Sequence, residues 1–248
     1  MSDLNHRTMG ARATAAVIDQ GLRSYMLRVY NHMAAGLAIT GIVAFALYNA
    51  AVQSTDTGLA LTGFGQFLFV SPFKYAVMLA PLAAVLFLSF RIASLSVAAA
   101  QIVFFVYAAL VGASLASLGL VYAHESIARV FFITAAAFGG LSLWGYTTKR
   151  DLTGMGSFLM MGLIGIIIAS LVNLFLASSA MQFVISVAGV LVFSGLTAWD
   201  TQRIKEMYYE ADGADTAGRK AVMGALALYL DFINLFLMLL QLFGNRRD

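Results

Sequence analysis

Two aspartates within apolar stretches are the residues of this chain whose chemistry stands out. Asp231 lies inside LYLDFINLFLMLLQLF, residues 228–243, and Asp200 follows Trp199 close to the end of another apolar run. A carboxylate at the centre of a membrane helix costs about 2.5–3.5 kcal/mol on insertion scales. Such residues are therefore the first candidates for function.

The two aspartates predict acid chemistry if their helices bring them together. Two close carboxylates in a medium of low dielectric constant tend to share a proton, and they can coordinate a hard cation such as Ca²⁺ through oxygen. The alternatives are structural. Asp231 could be one buried hydrogen-bonded acid, and Asp200 could be an ordinary acid at a helix end.

Three further polar residues are candidates for the same site. Asn234 and Gln241 follow Asp231 at i+3 and i+10, so a helix would place the three on one polar stripe. Arg91, at the end of an apolar run, is either a gating countercharge for Asp200 or a topology signal. The sequence leaves this choice open.

The composition shows which solvent surrounds these elements. Of 248 residues, 61% are hydrophobic and 11% charged, and the mean hydropathy is +0.86, whereas soluble domains carry about 25% charged residues. The chain is therefore expected to fold in lipid. No cysteine is present and the histidines are dispersed, so we expect no metal or other cofactor. The net charge of +3 is too small to indicate nucleic-acid binding.

Apolar runs of about 20 residues predict an all-α, polytopic membrane protein with seven transmembrane helices. Residues 1–29 are interpreted as an amphipathic cytosolic tail without a cleavable signal peptide, and residues 244–248 as a short C-terminal tail. The transmembrane domain covers residues 30–243. The predicted spans are residues 30–52, 73–92, 97–121, 127–147, 155–177, 181–203 and 220–243.

Lysine and arginine positions orient the spans with the N-terminus in the cytosol. Seven spans would leave Arg246 and Arg247 outside, whereas a re-entrant last segment would return them to the cytosol. The predicted outer segments carry four basic residues, which are Lys74, Arg129, Arg246 and Arg247. The predicted inner segments carry eleven, which are Arg7, Arg12, Arg23, Arg28, Arg91, Lys149, Arg150, Arg203, Lys205, Arg219 and Lys220.

The chain resembles the Bax inhibitor-1 family, also called the transmembrane BAX inhibitor motif family, and is most similar to its bacterial members. The segment of residues 228–243 is close to the last-helix signature of that family. GYTTKRDL, residues 145–152, and GLTAWDTQ, residues 195–202, agree with the bacterial branch. The resemblance runs from about Tyr25 to Arg247, nearly the whole chain.

This resemblance implies a seven-helix bundle in the bacterial inner membrane with the last helix central and enclosed by the other six. It also implies a pH-sensitive Ca²⁺ leak in which Asp200 and Asp231 form the proton sensor and Arg91 pairs with the first aspartate. Some bacterial members are linked to a membrane-bound quality-control protease, and eukaryotic relatives to cell death and Ca²⁺ release. The short end Arg246-Arg247-Asp248 lacks the charged tail of many eukaryotic relatives, which weakens a transfer of their partners.

Three functions remain at this point. In the first, protonation of the pair weakens a latch between Arg91 and Asp200 and opens a cation leak. In the second, the protein is a non-transporting regulator of stress response or of a membrane protease, with lipid and other membrane proteins as partners. The third, an intramembrane aspartyl protease, is disfavoured because Tyr229-Leu230 stands where such enzymes carry glycines and no Pro-Ala-Leu segment follows. We therefore expect no enzyme, and the sequence does not predict an oligomeric state.

Overall fold

The computed structural model describes residues 2–55 and 58–247, with side chains described from Asp19 onward except at Ser54 and Ala93. The described residues form nine α-helices, with a hairpin of β1 (Val52–Thr55) and β2 (Gly58–Leu61) after the first. The helices are α1 (Ser2–Ala51), α2 (Gly63–Phe69), α3 (Phe73–Arg91), α4 (Val97–Leu115), α5 (Leu118–Val121), α6 (His124–Thr147), α7 (Thr153–Leu176), α8 (Ser179–Glu206) and α9 (Ala214–Phe243).

The predicted seven spans are confirmed. Seven helical segments are long and apolar enough to cross a membrane. They are Asp19–Ala51, Phe73–Arg91, Val97–Val121, His124–Thr147, Thr153–Leu176, Ser179–Glu206 and Ala214–Phe243. Most limits lie within three residues of the predicted ones.

Both ends of the bundle differ from the prediction. The first helix is continuous from Ser2, so the predicted tail joins the first span without a break. The structure does not describe the side chains of residues 2–18. The predicted amphipathic character of the N-terminal tail therefore lies outside the described residues. The last helix begins at Ala214 rather than at 220, and Asp215 in its first turn interacts favourably with the helix dipole.

A β-hairpin replaces part of the predicted loop after the first span. Its strands are antiparallel, with Val52 opposite Leu61 and Thr55 opposite Gly58. The φ of Gly58 is +123°, a backbone conformation that side chains with a Cβ rarely adopt. Thr62 then caps α2 by accepting a hydrogen bond from the Gly65 amide at 3.0 Å. The sequence did not predict these strands because they are too short for an alternating pattern to be recognised.

The last helix contributes more residues to the buried core than any other described helix. In the most apolar 18-residue stretch of this helix 61% is buried, whereas the corresponding fraction is 39% in the next most buried span. It packs mainly against α1, α4, α6 and α8. Tyr229 is fully buried, and its ring meets Phe104 and Tyr107 edge-on at centroid distances of 5.7 and 5.6 Å. Enclosure by all six other spans stays a prediction.

Glycines allow several of these helices to approach each other closely. A Cβ at Gly145 would overlap the backbone of Ala198 on α8, whereas a Cβ at Gly165 on α7 would meet nothing within 4 Å. Since packing rather than hydrophobicity drives helix association in lipid, such contacts are a main source of cohesion.

We expect Gly145→Leu to lower the melting temperature in detergent by several degrees because α6 and α8 must move apart. Gly165→Leu is the matched control and should leave the melting temperature unchanged. Equal melting temperatures for the two variants, measured by thermal denaturation, would contradict the assigned α6–α8 contact.

The C-terminal tail lies against the connection between α5 and α6. The Ala123 amide donates to the carbonyl of Asn245 at 3.1 Å, and the Arg247 amide donates to the carbonyl of Val121 at 2.9 Å. The Ser126 hydroxyl accepts from the Asn245 amide at 2.8 Å. Because α9 is one continuous helix of 30 residues, a re-entrant last segment is wrong, and the tail lies at the bundle end opposite the loop of residues 207–213.

The absence of cysteine from the sequence makes this topology directly testable. With the N-terminus cytosolic, Arg246→Cys should react with a membrane-impermeant maleimide added outside intact cells. Glu210→Cys, in the exposed loop before α9, should react only after permeabilisation. The cysteine-free parent is the control, and the reverse labelling pattern would invert the orientation.

Candidate functional site

Asp200 on α8 and Asp231 on α9 come together, as their positions in the sequence suggested. Their carboxyl groups approach each other closely enough for a side-chain hydrogen bond once one of them is protonated. The residues retain 9% and 5% of their accessible surface, respectively. The pair therefore joins two neighbouring helices through two acids that have almost no contact with solvent.

The depth of the pair follows from the helix rise. The Lys220 ammonium on α9 donates to the carbonyl of Met207 at 3.0 Å, so these two residues lie at one level. Asp200 and Asp231 are seven and eleven residues deeper, which is about 10 and 16 Å along their helices. Asp200 therefore lies in the half of α8 nearer the loop of residues 207–213, and Asp231 lies near the middle of α9.

The contact between the two carboxyl groups requires a proton. An ionised carboxylate only accepts hydrogen bonds, so one of the two acids must be protonated to donate. The Oδ2 atom of Asp231 is buried and has no hydrogen-bond partner among the described residues. Two like charges at this position would be costly, and the pair is therefore expected to titrate as one unit.

Arg203 supplies the charge beside Asp200. Its guanidinium Nη1 lies 3.6 Å from Asp200 Oδ1, one helical turn further along α8. The side chain is 59% exposed and stands over the Trp199 ring, 5.3 Å from the centroid. Arg91 is exposed and takes part in no ion pair within the part of the chain that is described. The role of Arg91 as gating countercharge stays a prediction. Arg203 was not predicted as a partner of Asp200 because an arginine at i+3 from an aspartate is common on exposed helix surfaces.

The predicted polar stripe forms local contacts. The Asn234 side chain donates to the carbonyl of Leu230 on its own helix at 2.8 Å. Gln241 lies ten residues beyond Asp231 and accepts from Gln182 and Ser186 of α8 at 2.5 and 2.7 Å. These bonds join the far halves of α8 and α9. A pore-lining role for Asn234 and Gln241 stays a prediction.

A second buried polar contact joins α9 to α1. Thr40 directs its hydroxyl at the carbonyls of Gly36 and Ala108, and it also lies 2.6 Å from the Tyr229 hydroxyl. Because a threonine hydroxyl has one hydrogen, Tyr229 is the donor in the third contact. Sequence reasoning missed this pair, since threonine and tyrosine are ordinary in apolar helices.

The two bacterial-type segments contact each other beside the site. Gln202 accepts from the Leu152 amide and donates to the carbonyl of Arg150, both at 2.8 Å. Lys205 donates to the carbonyl of Tyr146 at 2.9 Å. The loop between α6 and α7 is thereby attached to the end of α8 that carries Asp200. The sequence offered one signal for this contact, which is the side-chain amide of Gln202 two residues after the intramembrane Asp200.

The site has too few ligands for a resident metal ion. The described residues contain no group of three or more His, Cys, Asp or Glu side chains placed to hold a metal. Ca²⁺ takes six to eight oxygen ligands, and two carboxyl groups offer at most four. Coordination of Ca²⁺ by Asp200 and Asp231 stays a prediction.

Asp231→Asn should remove the need for a shared proton because an amide donates to the Asp200 carboxylate at any pH. We expect the melting temperature of the wild-type protein to fall between pH 5 and pH 8 and that of Asp231→Asn to change less. Asp215→Asn removes an exposed acid from the start of the same helix and should keep the wild-type dependence of the melting temperature on pH. Parallel melting curves for all three proteins would contradict a proton shared by the pair.

Comparison with known proteins agrees with this architecture. The family model described as inhibitor of apoptosis-promoting Bax1 matches residues 22–248. A Rickettsia prowazekii protein is 49% identical over 243 residues, covering 98% of both chains. A Caulobacter vibrioides protein is 46% identical over the full length of both, and the inner membrane protein YbhL of Escherichia coli K12 is 46% identical over 92% of this chain and 94% of its own. The match over nearly the whole chain and the seven spans show that this multi-pass membrane protein belongs to the Bax inhibitor-1 family.

Proposed function

We propose that the protein is a cation leak pathway of the bacterial inner membrane, with Ca²⁺ as the permeating ion, and that the proton state of Asp200 and Asp231 controls it. The observation that carries the proposal is the close approach of these two buried acids on neighbouring helices. No catalytic step and no cofactor is part of it. Two adjacent acids at a helix–helix contact are suited to couple proton binding to helix separation.

The geometry gives this coupling a direction. With one proton between them, the two carboxyl groups hold α8 and α9 together. Without it, two like charges face each other at low dielectric constant, where repulsion is several times stronger than in water. Loss of the shared proton therefore favours separation of the helices, and the freed carboxylates then offer oxygen ligands to a divalent cation. On this mechanism the flux rises with pH.

The position of the arginines supports this direction over the latch expected from the sequence. Arg203 lies on the same helix as Asp200, so their ion pair joins no second element and cannot lock two helices. The exposed Arg91 forms no ion pair among the described residues, so it would have to move toward Asp200 to act as a latch. A latch broken by protonation would give the opposite result, with a flux that rises as the pH falls.

The test is Ca²⁺ influx into liposomes that contain the purified protein, measured between pH 5 and pH 8. Wild-type flux should increase with pH. Asp231→Asn and Asp200→Asn should flatten this dependence, because neither variant can place two negative charges at the contact. Asp215→Asn is the matched control and should retain the wild-type profile.

Two results would contradict the proposal. A wild-type flux that does not depend on pH would remove the pair from gating. A folded wild-type protein that passes no more Ca²⁺ than empty liposomes at any pH would remove the leak itself. The second result would favour a non-transporting regulator, whose partner could then be sought by cross-linking in the membrane.

A further inference from the structure

A lateral crevice of about 810 Å³ lies between α1 and α6, and neither Asp200 nor Asp231 lines it. Its walls are residues of these two helices, one end is closed by α5, and α9 forms the floor. Pockets that bind small molecules have volumes of about 300–1,000 Å³, so the crevice has the size of a binding site. The lining is almost entirely apolar; its floor consists of Phe232, Ile233 and Phe236.

Small residues on α1 leave this space open. Ala34, Ala38 and Gly41 share one face of the helix at spacings of four and three, and all three line the crevice. A Cβ at Gly41 would meet nothing within 4 Å, so this face is not packed against another helix. Rim residues Ile42 and Phe132 are 68% and 70% exposed within membrane-spanning segments. The crevice therefore opens toward lipid.

The crevice suits an alkyl chain rather than a polar ligand. Thr40 contributes a hydroxyl to the lining of the crevice. This hydroxyl already forms hydrogen bonds with Tyr229 and with two backbone carbonyls. A polar ligand buried there would lose its water without gaining new partners. An acyl chain carries no such cost.

A cationic group stands at one end of the crevice. Tyr48 and His124 line that end, with their rings in edge contact at 4.6 Å. The Arg247 guanidinium donates one hydrogen bond to the Tyr48 hydroxyl at 3.0 Å and lies over the same ring. No carboxylate of the described chain lies within 4.0 Å of Arg247, including Glu125 on the first turn of α6. A guanidinium has five N–H donors, so most of them remain available to an anion.

We propose that the crevice binds one acyl chain of an anionic phospholipid and that Arg247 holds its phosphate, in the leaflet on the side of the C-terminal tail. Arginine suits this role because its planar donors match phosphate oxygens in pairs. Basic groups beside grooves between transmembrane helices are a known means of selecting anionic headgroups. The apolar crevice provides affinity and Arg247 provides the selectivity for charge.

Native mass spectrometry of delipidated protein tests this assignment, with phosphatidylglycerol and phosphatidylcholine as probes. The wild-type protein should retain phosphatidylglycerol in preference to phosphatidylcholine. Gly41→Trp should reduce retention of the first bound lipid at least fivefold by filling the crevice. Gly165→Trp is the matched control on an open, lipid-facing position of α7 and should leave retention unchanged.

A second pair of variants tests the headgroup contact without altering the crevice. Arg247→Gln should lower the preference for phosphatidylglycerol about tenfold, the change expected for one lost charge-assisted hydrogen bond. Arg246→Gln removes an exposed neighbouring charge and should keep the preference. Equal retention of both lipids by the wild-type protein, or equal effects of the two arginine variants, would overturn the proposal.

Discussion

The contact between the carboxyl groups of Asp200 and Asp231 is the interaction on which the site depends. Two acids are buried at one helix–helix contact, where an unpaired charge would be costly. One shared proton turns the same two groups into a donor and an acceptor. The contact thus stabilises the α8–α9 interface when one proton is shared and destabilises it when both carboxylates are ionised. The pair is therefore suited to switch between two states.

The surrounding contacts restrict what can move when that proton state changes. Gln202 and Lys205 attach the end of α8 to the α6–α7 loop, while Gln182 and Gln241 join the far halves of α8 and α9. The pair lies between these two groups of bonds. A change at the pair is therefore expected to alter the middle of the interface rather than to separate the helices along their whole length.

Hydropathy was sufficient to predict the seven spans, because lipid requires every backbone group in a span to be paired within a helix. The energetic cost of an acid in an apolar run was likewise sufficient to select Asp200 and Asp231. The hairpin of residues 52–61 was not predictable, since its strands have four residues each. Arg203 was missed because its importance arises from the burial of Asp200, and the Thr40–Tyr229 contact because only the fold brings together residues 189 positions apart.

The burial of the last helix has a consequence for biosynthesis. Translation proceeds at roughly 5–20 residues per second, so the six earlier spans enter the membrane seconds before α9 is complete. During that interval the faces of α1, α4, α6 and α8 that later surround α9 have no partner, and Asp200 has no second acid. Assembly of this bundle is thus a post-insertion event. Chains truncated before residue 214 would lack the helix that contributes the most residues to the core.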